Sequence, residues 1–283
     1  MDWSFLQKIN LVFCTGTPKS GTTFLQMILN NHPEVSCPAE HEFTEFSRHL
    51  LQLLKAYNTS LENIDKKTAN QGATVFIEED IEEIIKFIIK LAAYRGSKGR
   101  EVKWYGINEN EIIIYNKYNK FESYIKWFPE AKFIGIVRDP RSVTISSWYH
   151  NIRTEPGFLE IRGKSKEHWA NQVAKIWLRE NTNLINFFQK EPSKVLICRY
   201  EDLVLNPFEN YKKIFEFLGV KTDKEIIIDI IDKTSFKKFK NGKFFRKGSI
   251  NEWKEELSSL AIKNIERVCG NLMNFFRYKT VYW

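Results

Sequence analysis

Apolar positions along this chain fall into short solid runs separated by longer stretches of helical period. Residues 9–14 form the first such run. A loop carrying Gly16 and Gly21 follows, and Phe24, Leu25, Ile28 and Leu29 then recur at helical spacing. Residues 32–46 break the pattern with Pro33, Pro38 and clustered acids. Residues 47–67 and 77–95 read as amphipathic helices with a turn-rich stretch at 70–74 between them. A second strand is predicted at 102–107, followed by a helix over 117–128 that Pro129 stops. Residues 132–137 (KFIGIV) form a compact apolar strand, and a helix from Pro140 through His150 follows at once. The remainder predicts a long helix over 165–190, a strand at 194–198, helices near 207–218 and 222–232, a basic loop at 234–248 and a last helix near 254–270. Strands alternating with helices imply a parallel sheet covered on both faces, with ligands at the carboxyl ends of the strands.

Composition narrows this picture only a little. The 283 residues are 43% hydrophobic and 14% aromatic, enough for one α/β domain spanning 1–283, with a helical insertion at about 47–100. The formal net charge of +8 suits an anionic partner, yet nucleic acid, a membrane surface and a nucleotide all qualify. The four cysteines are dispersed and form no C-x-x-C, which points to free thiols in a reduced, cytoplasmic setting. No apolar run approaches the roughly 20 residues of a membrane span. The expectation is therefore a protein without a membrane partner.

Chemistry concentrates first at residues 11–23, LVFCTGTPKSGTT. Strand, glycine loop and helix start make a phosphate cradle, in which backbone N–H groups and the positive end of the helix dipole face an anion. Lys19 adds a point charge, and Ser20, Thr22 and Thr23 add hydroxyl donors. The nucleotide-triphosphate loop G-x-x-x-x-G-K-[ST] has the same glycine spacing. Here, however, Thr22 stands at the lysine position and the lysine has moved inside the loop. The string PKSGTT instead resembles the 5′-phosphosulfate loop of sulfotransferases that use 3′-phosphoadenosine 5′-phosphosulfate (PAPS).

Two further segments carry the same resemblance. IVRDPRSVTISSWYH is similar to the family's 3′-phosphate segment, which implies that role for Arg138 and Ser146. FFRKGSINEWKEEL is similar to the C-terminal PAPS-binding segment of the cytosolic members, implying roles for Arg246, Lys247 and Gly248. This chain departs there by having Ile250-Asn251-Glu252 where those members commonly have Ala-Gly-Asp. Phe24 stands where cytosolic members carry a tryptophan stacking on adenine. Tyr200 in RYEDL, and Thr234 and Phe236 in KTSF, resemble adenine-pocket residues. The resemblance touches 11–46, 132–150, 195–219 and 234–257. It implies a P-loop-type three-layer α/β/α fold with a central parallel sheet, with the insertion on the acceptor side. The loop residues Pro18, Lys19, Ser20, Gly21, Thr22 and Thr23 would hold PAPS, leave PAP as product, and need no metal.

The base is the least determined element. The lysine–histidine string of cytosolic members is absent, since residues 105–110 read YGINEN. In the tyrosyl-protein and many bacterial members a glutamate follows an H-P-[DE]-V string. HPEV begins here at His32, which points to Glu40, with Glu42 and His41 as alternatives. Acids at 40, 42, 45, 109 and 111 flank the expected acceptor side and favour a cationic small-molecule acceptor, a natural product of the guanidinium-alkaloid kind. Two other classes compete: a nucleotide kinase or phosphotransferase, and a non-catalytic nucleic-acid-binding protein.

Overall fold

In the computed structural model, described for residues 3–38, 40–41, 43–68, 72–108, 120–235 and 250–283, five parallel strands form one sheet in the order β2-β3-β1-β4-β5. The strands are β1 (Asn10–Gly16), β2 (Val35–Ser36), β3 (Trp104–Asn108), β4 (Lys132–Val137) and β5 (Val195–Arg199). β1 lies at the centre because both its faces are apolar and buried from Leu11 onward. From it the chain winds first toward β2 and β3, then returns to β4 and β5 on the other side. The reversal leaves the loops after β1 and β4 side by side at the carboxyl edge, where open α/β sheets bind ligands. The α/β class and the all-parallel sheet expected from the sequence are thus borne out.

Two apolar layers enclose the sheet. On one face α1 (Thr22–Asn30), α7 (Tyr200–Leu205), α8 (Pro207–Leu218) and α9 (Lys224–Thr234) pack around Val12, Ile134 and Ile136. On the other, α2 (Phe43–Lys67), α3 (Glu78–Gly96), α4 (Lys120–Trp127), α5 (Pro140–Thr154) and α6 (Lys166–Lys190) pack with the C-terminal α10 (Trp253–Glu256) and α11 (Ser259–Phe275) around Phe13 and Phe133. Leu25, Ile28 and Leu29 of α1 are fully buried, each worth about 1.5–3 kcal/mol. That burial holds the helix over the sheet with its first turn against the loop after β1.

Three local departures from the sequence reading have clear causes. The broken stretch after α1 contains the edge strand β2, which pairs with β3 although its apolar run is too short to signal a strand. The RYEDLVLNP stretch is helical from Tyr200, because Arg199 is the last extended residue. The last helix is preceded by the separate α10: Leu257 is extended, and the Ser258 hydroxyl accepts the Ala261 amide to cap α11.

His32, just past α1, ties that turn to the loop between α8 and α9. Its Nε2–H donates to the Lys221 carbonyl at 2.8 Å, and its Nδ1 accepts the Glu34 amide at 3.1 Å, a pairing that only the neutral ring satisfies. Burial holds this imidazole below its ordinary value. The unfolded chain therefore takes up the proton first. The contribution of His32 to stability is complete above about pH 6.5 and is lost as the pH falls through the folded value. Thermal melts from about pH 7.5 to about pH 5.5 should show a falling midpoint, with a shallower slope in His32→Gln.

Candidate active site

The loop after β1 is shaped by two left-handed residues, Lys19 (φ 70°) and Gly21 (φ 102°), on either side of Ser20. The Ser20 amide closes the turn onto the Thr17 carbonyl at 2.9 Å. A left-handed conformation costs a lysine about 1 kcal/mol or more and persists only where the surroundings enforce it. Both glycines are demanded by contact. A Cβ on Gly16 would lie 2.5 Å from the Ile136 carbonyl oxygen, and one on Gly21 would lie 2.5 Å from Cδ2 of Tyr200. The first internal bond of α1 runs from the Leu25 amide to the Gly21 carbonyl, 2.9 Å. The amides of Thr22 and Thr23 therefore face the loop together with the dipole's positive end. The Ser20 hydroxyl is fully buried and has no hydrogen-bond partner among the described residues. Such a cradle, with an open buried donor, fits a phosphate group.

β4 delivers the second cationic group. Arg138 stands one residue beyond its end, and its Nη1 donates to the Lys19 carbonyl at 3.3 Å. The guanidinium also lies 4.4 Å over the ring of Tyr200. Tyr200 is 4% exposed and meets Phe24 edge-on at 5.8 Å. Lys19, Gly21, Phe24, Arg138 and Tyr200 are thus brought together from three parts of the chain. Asp139 caps α5 by accepting the Arg141 amide at 2.9 Å, and Pro140 fits the first turn. Arg141 is buried, paired with Asp139 (2.6 Å) and Glu266 (2.8 Å), and packs 3.7 Å over Trp253. The second arginine of the RDPR string is accordingly a structural one.

Beyond Pro140, α5 presents Ser146, which is half-buried, two turns past the strand end. His150 and Arg153 follow it at intervals of four and three on the same helical stripe. Burial holds the His150 imidazole below its usual value, and the charges of Lys19 and Arg153 push it the same way. Lys19 is itself lowered by burial and by Arg153, while the carboxylate of Glu40 opposes the shift. The loop lysine therefore sits within electrostatic reach of Glu40, His150 and Arg153. In the sequence, His150 and Arg153 share the helical spacing of Ser146 but carry nothing that sets them apart from solvated helix residues.

Glu40 reaches the site by tertiary pairing. After β2 the chain continues alongside β3, so that Glu40 bridges Asn108 and the His41 amide donates to the Asn108 carbonyl at 3.2 Å. Asn108 is in register with Cys14 of β1, two residues before Gly16. This sets Glu40 at the level of the loop entrance. Glu40 is exposed, so the described residues do not build a dry enclosure around it. Asn108 is fully buried. Its Nδ2 donates to Gln26 Oε1 at 2.9 Å, and its Oδ1 has no partner among the described residues. His41 stacks on Phe43 with centroids 5.1 Å apart, and burial lowers its imidazole below the usual value. Glu45 is paired with Arg48 at 2.5 Å on the exposed side of α2.

Thr234 ends α9 with its hydroxyl turned back to the Ile230 carbonyl at 2.8 Å and within 3.2 Å of the Tyr211 hydroxyl. Pro18 is exposed at the loop's tip, and Thr22 and Thr23 begin α1. Glu42, Phe236, Arg246, Lys247 and Gly248, like Glu109 and Glu111, lie outside the described residues. Among the described residues no group of three or more His, Cys, Asp or Glu side chains is arranged to hold a metal ion. No helix among them is long and apolar enough to cross a membrane.

Comparison with known proteins agrees with this geometry. Residues 10–277 match the sulfotransferase domain, and the chain belongs to that family. It is 27% identical over 227 residues to the protein-tyrosine sulfotransferase of Drosophila melanogaster, covering 80% of this chain and 41% of that protein. The chain spans about half the length of the curated relatives it matches (41%, 56% and 51% for the fly, Gallus gallus and Caenorhabditis elegans proteins). Among solved structures, mouse sulfotransferase SULT7A1 complexed with PAP superposes with a TM-score of 0.60 at 16% identity, over 95% of this chain and 87% of that one. A sulfotransferase domain from the curacin biosynthetic pathway gives 0.57 at 18% identity, over 96% of this chain and 99% of that one. At these identities the structural likeness is one of fold.

Proposed function

We propose that this protein is a PAPS-dependent sulfotransferase acting on a hydroxyl or amine of a small-molecule acceptor. The observation that carries the reading is the join between two anion-binding elements. The cradle at Lys19–Thr23 and the guanidinium of Arg138 meet through the Lys19 carbonyl and the Tyr200 ring. A nucleotide phosphorylated at both 5′ and 3′ positions would engage both. PAPS supplies an activated sulfuryl group. The residues of this chain would hold and neutralise its phosphates, Lys19, Ser20, Thr22 and Thr23 at one end and Arg138 with Ser146 at the other. Phe24 and Tyr200, buried against each other beside the loop, would form the aromatic support beneath the purine. Arg246, Lys247, Gly248, Thr234 and Phe236 complete the same assignment.

Glu40 is the proposed general base, with Glu42 and His41 as the other candidates. A carboxylate beside Lys19 removes the acceptor's proton as the new oxygen–sulfur or nitrogen–sulfur bond forms. Lys19 offsets the negative charge that develops on the oxygen leaving sulfur. A cationic acceptor fits the exposed carboxylate of Glu40 at the mouth of the site. The similarity to protein-tyrosine sulfotransferases favours a second reading, in which the acceptor hydroxyl is a peptide tyrosine. A cytoplasmic setting belongs to the same proposal and accords with four free cysteines.

Calorimetry with PAP, AMP and ATP tests the assignment. PAP should bind at least about tenfold more tightly than AMP, because a charge-assisted contact to the extra phosphate is worth about 1.5–3 kcal/mol. ATP should bind weakly and gain little from Mg²⁺. Equal affinity for PAP and AMP would refute the site. An acceptor screen with PAPS, spanning cationic alkaloids, phenols and tyrosine peptides, then separates the two acceptor readings.

A further inference from the structure

The corner where β4 turns into α5 is held by side chains from three distant segments. The peptide linking Arg138 to Asp139 is pinned at both its polar atoms. Trp177 Nε1 of α6 donates to the Arg138 carbonyl at 2.8 Å, and Glu201 Oε1 of α7 accepts the Asp139 amide at 3.1 Å. One residue earlier, the Tyr278 hydroxyl reaches the Val137 carbonyl at 3.2 Å and Glu201 Oε2 at 2.8 Å. Glu201 is 5% exposed and Tyr278 is 4% exposed. A buried carboxyl group with one oxygen on the Asp139 amide and the other on the Tyr278 hydroxyl is costly to keep unless it does something there.

What this turn carries is Arg138. Arg138 lies just beyond the end of β4, and its guanidinium rests on the face of Tyr200, the residue immediately before Glu201, with Nη1 on the Lys19 carbonyl. One short helical start thus supplies both supports. Tyr200 sits under the guanidinium and against Gly21, and Glu201 sits under the backbone that launches the arginine. The tail contributes as well, because the Arg141 Nη2 donates to the Lys279 carbonyl at 3.0 Å, next to Tyr278.

We propose that Glu201, completed by Tyr278, is a positioning residue for recognition of the nucleotide's ribose phosphate, holding the Arg138–Asp139 peptide so that the guanidinium stays aligned beside the Lys19 loop. The inference rests on the assignment of Arg138 to that phosphate. Misalignment of a charged fork by a fraction of an ångström weakens a bidentate contact while leaving the 5′ cradle untouched. The footprint of Glu201 is therefore selectivity between PAP and AMP, which differ only in that phosphate.

Calorimetry with PAP and AMP on the full chain tests this with Glu201→Ala, Glu201→Gln and Tyr278→Phe. Glu201→Ala should lower the PAP-to-AMP affinity ratio by about three- to tenfold, the scale of one lost hydrogen bond, with AMP affinity nearly constant. Glu201→Gln keeps an acceptor for the Asp139 amide and should recover most of the ratio. Tyr278→Phe, the mildest change, should lower it in the same direction and serves if the alanine variant fails to fold. An unchanged ratio in Glu201→Ala, or in Tyr278→Phe where the alanine variant fails to fold, would overturn the inference. So would equal losses for PAP and AMP, the mark of a merely structural residue. A wild-type ratio near one would instead remove the assignment of Arg138 itself.

Discussion

Replacing Glu40 by glutamine should reduce sulfuryl transfer by about 10²–10⁴-fold while leaving the affinity for PAP within about twofold of wild type. The size follows from the role. A positioned base contributes that much when proton removal accompanies bond formation, and glutamine keeps the shape without the basicity. The preserved affinity follows from position. Glu40 is held by the bridge to Asn108, on the far side of Lys19 from the Arg138 grip. Loss of its charge removes an attraction to Lys19 and no contact to the nucleotide, so PAP binding should not weaken. Steady-state turnover with PAPS and titration with PAP are both needed. If Glu40→Gln turns over normally, the base is elsewhere, and Glu42→Gln and His41→Asn are the variants to measure next.

Replacing Lys19 by methionine should cost about 10²–10³-fold in turnover, with a smaller loss of PAP affinity. Methionine retains most of the side chain's length and apolar volume, so the change isolates the ammonium. The charge matters most where negative charge grows during reaction, on the oxygen leaving sulfur. In the ground state the loop amides and the start of α1 already face the phosphate. The backbone at this position is left-handed, which methionine tolerates no better than lysine, so strain should be similar in the two proteins. Equal losses in turnover and in PAP affinity would mean that Lys19 binds the nucleotide without assisting the reaction.

The legible part of the site was the part written in contiguous residues. The loop at 16–23 could be read because glycines at fixed spacing, a strand before and helical period after are local properties of the chain. The strand at 132–137 was read with its observed bounds, since a solid apolar run ending in Arg-Asp-Pro leaves little choice of boundary. Helix ends were read less well. α2 starts at Phe43 rather than near residue 47, its first turn following directly on the proline- and acid-rich stretch, and α5 continues to Thr154 past His150 through the polar turn NIRT. His150 and Arg153 were missed, although they lie on the stripe of Ser146. A basic side chain on a helix is ordinarily a solvated one, and only the fold turned that stripe toward Lys19.

The amino-acid sequence determined the α/β class, the phosphate loop and the membership of a family, because each depends on residue type at short range. Tertiary structure alone decided which distant groups meet. It ran the segment after β2 along β3 so that Glu40 stands beside Lys19. It also drew Trp177, Glu201 and Tyr278 to the two peptides that present Arg138. The reason is physical: backbone conformation is set by neighbours a few residues away, whereas a buried hydrogen bond between segments exists only once the sheet has been assembled and its faces covered.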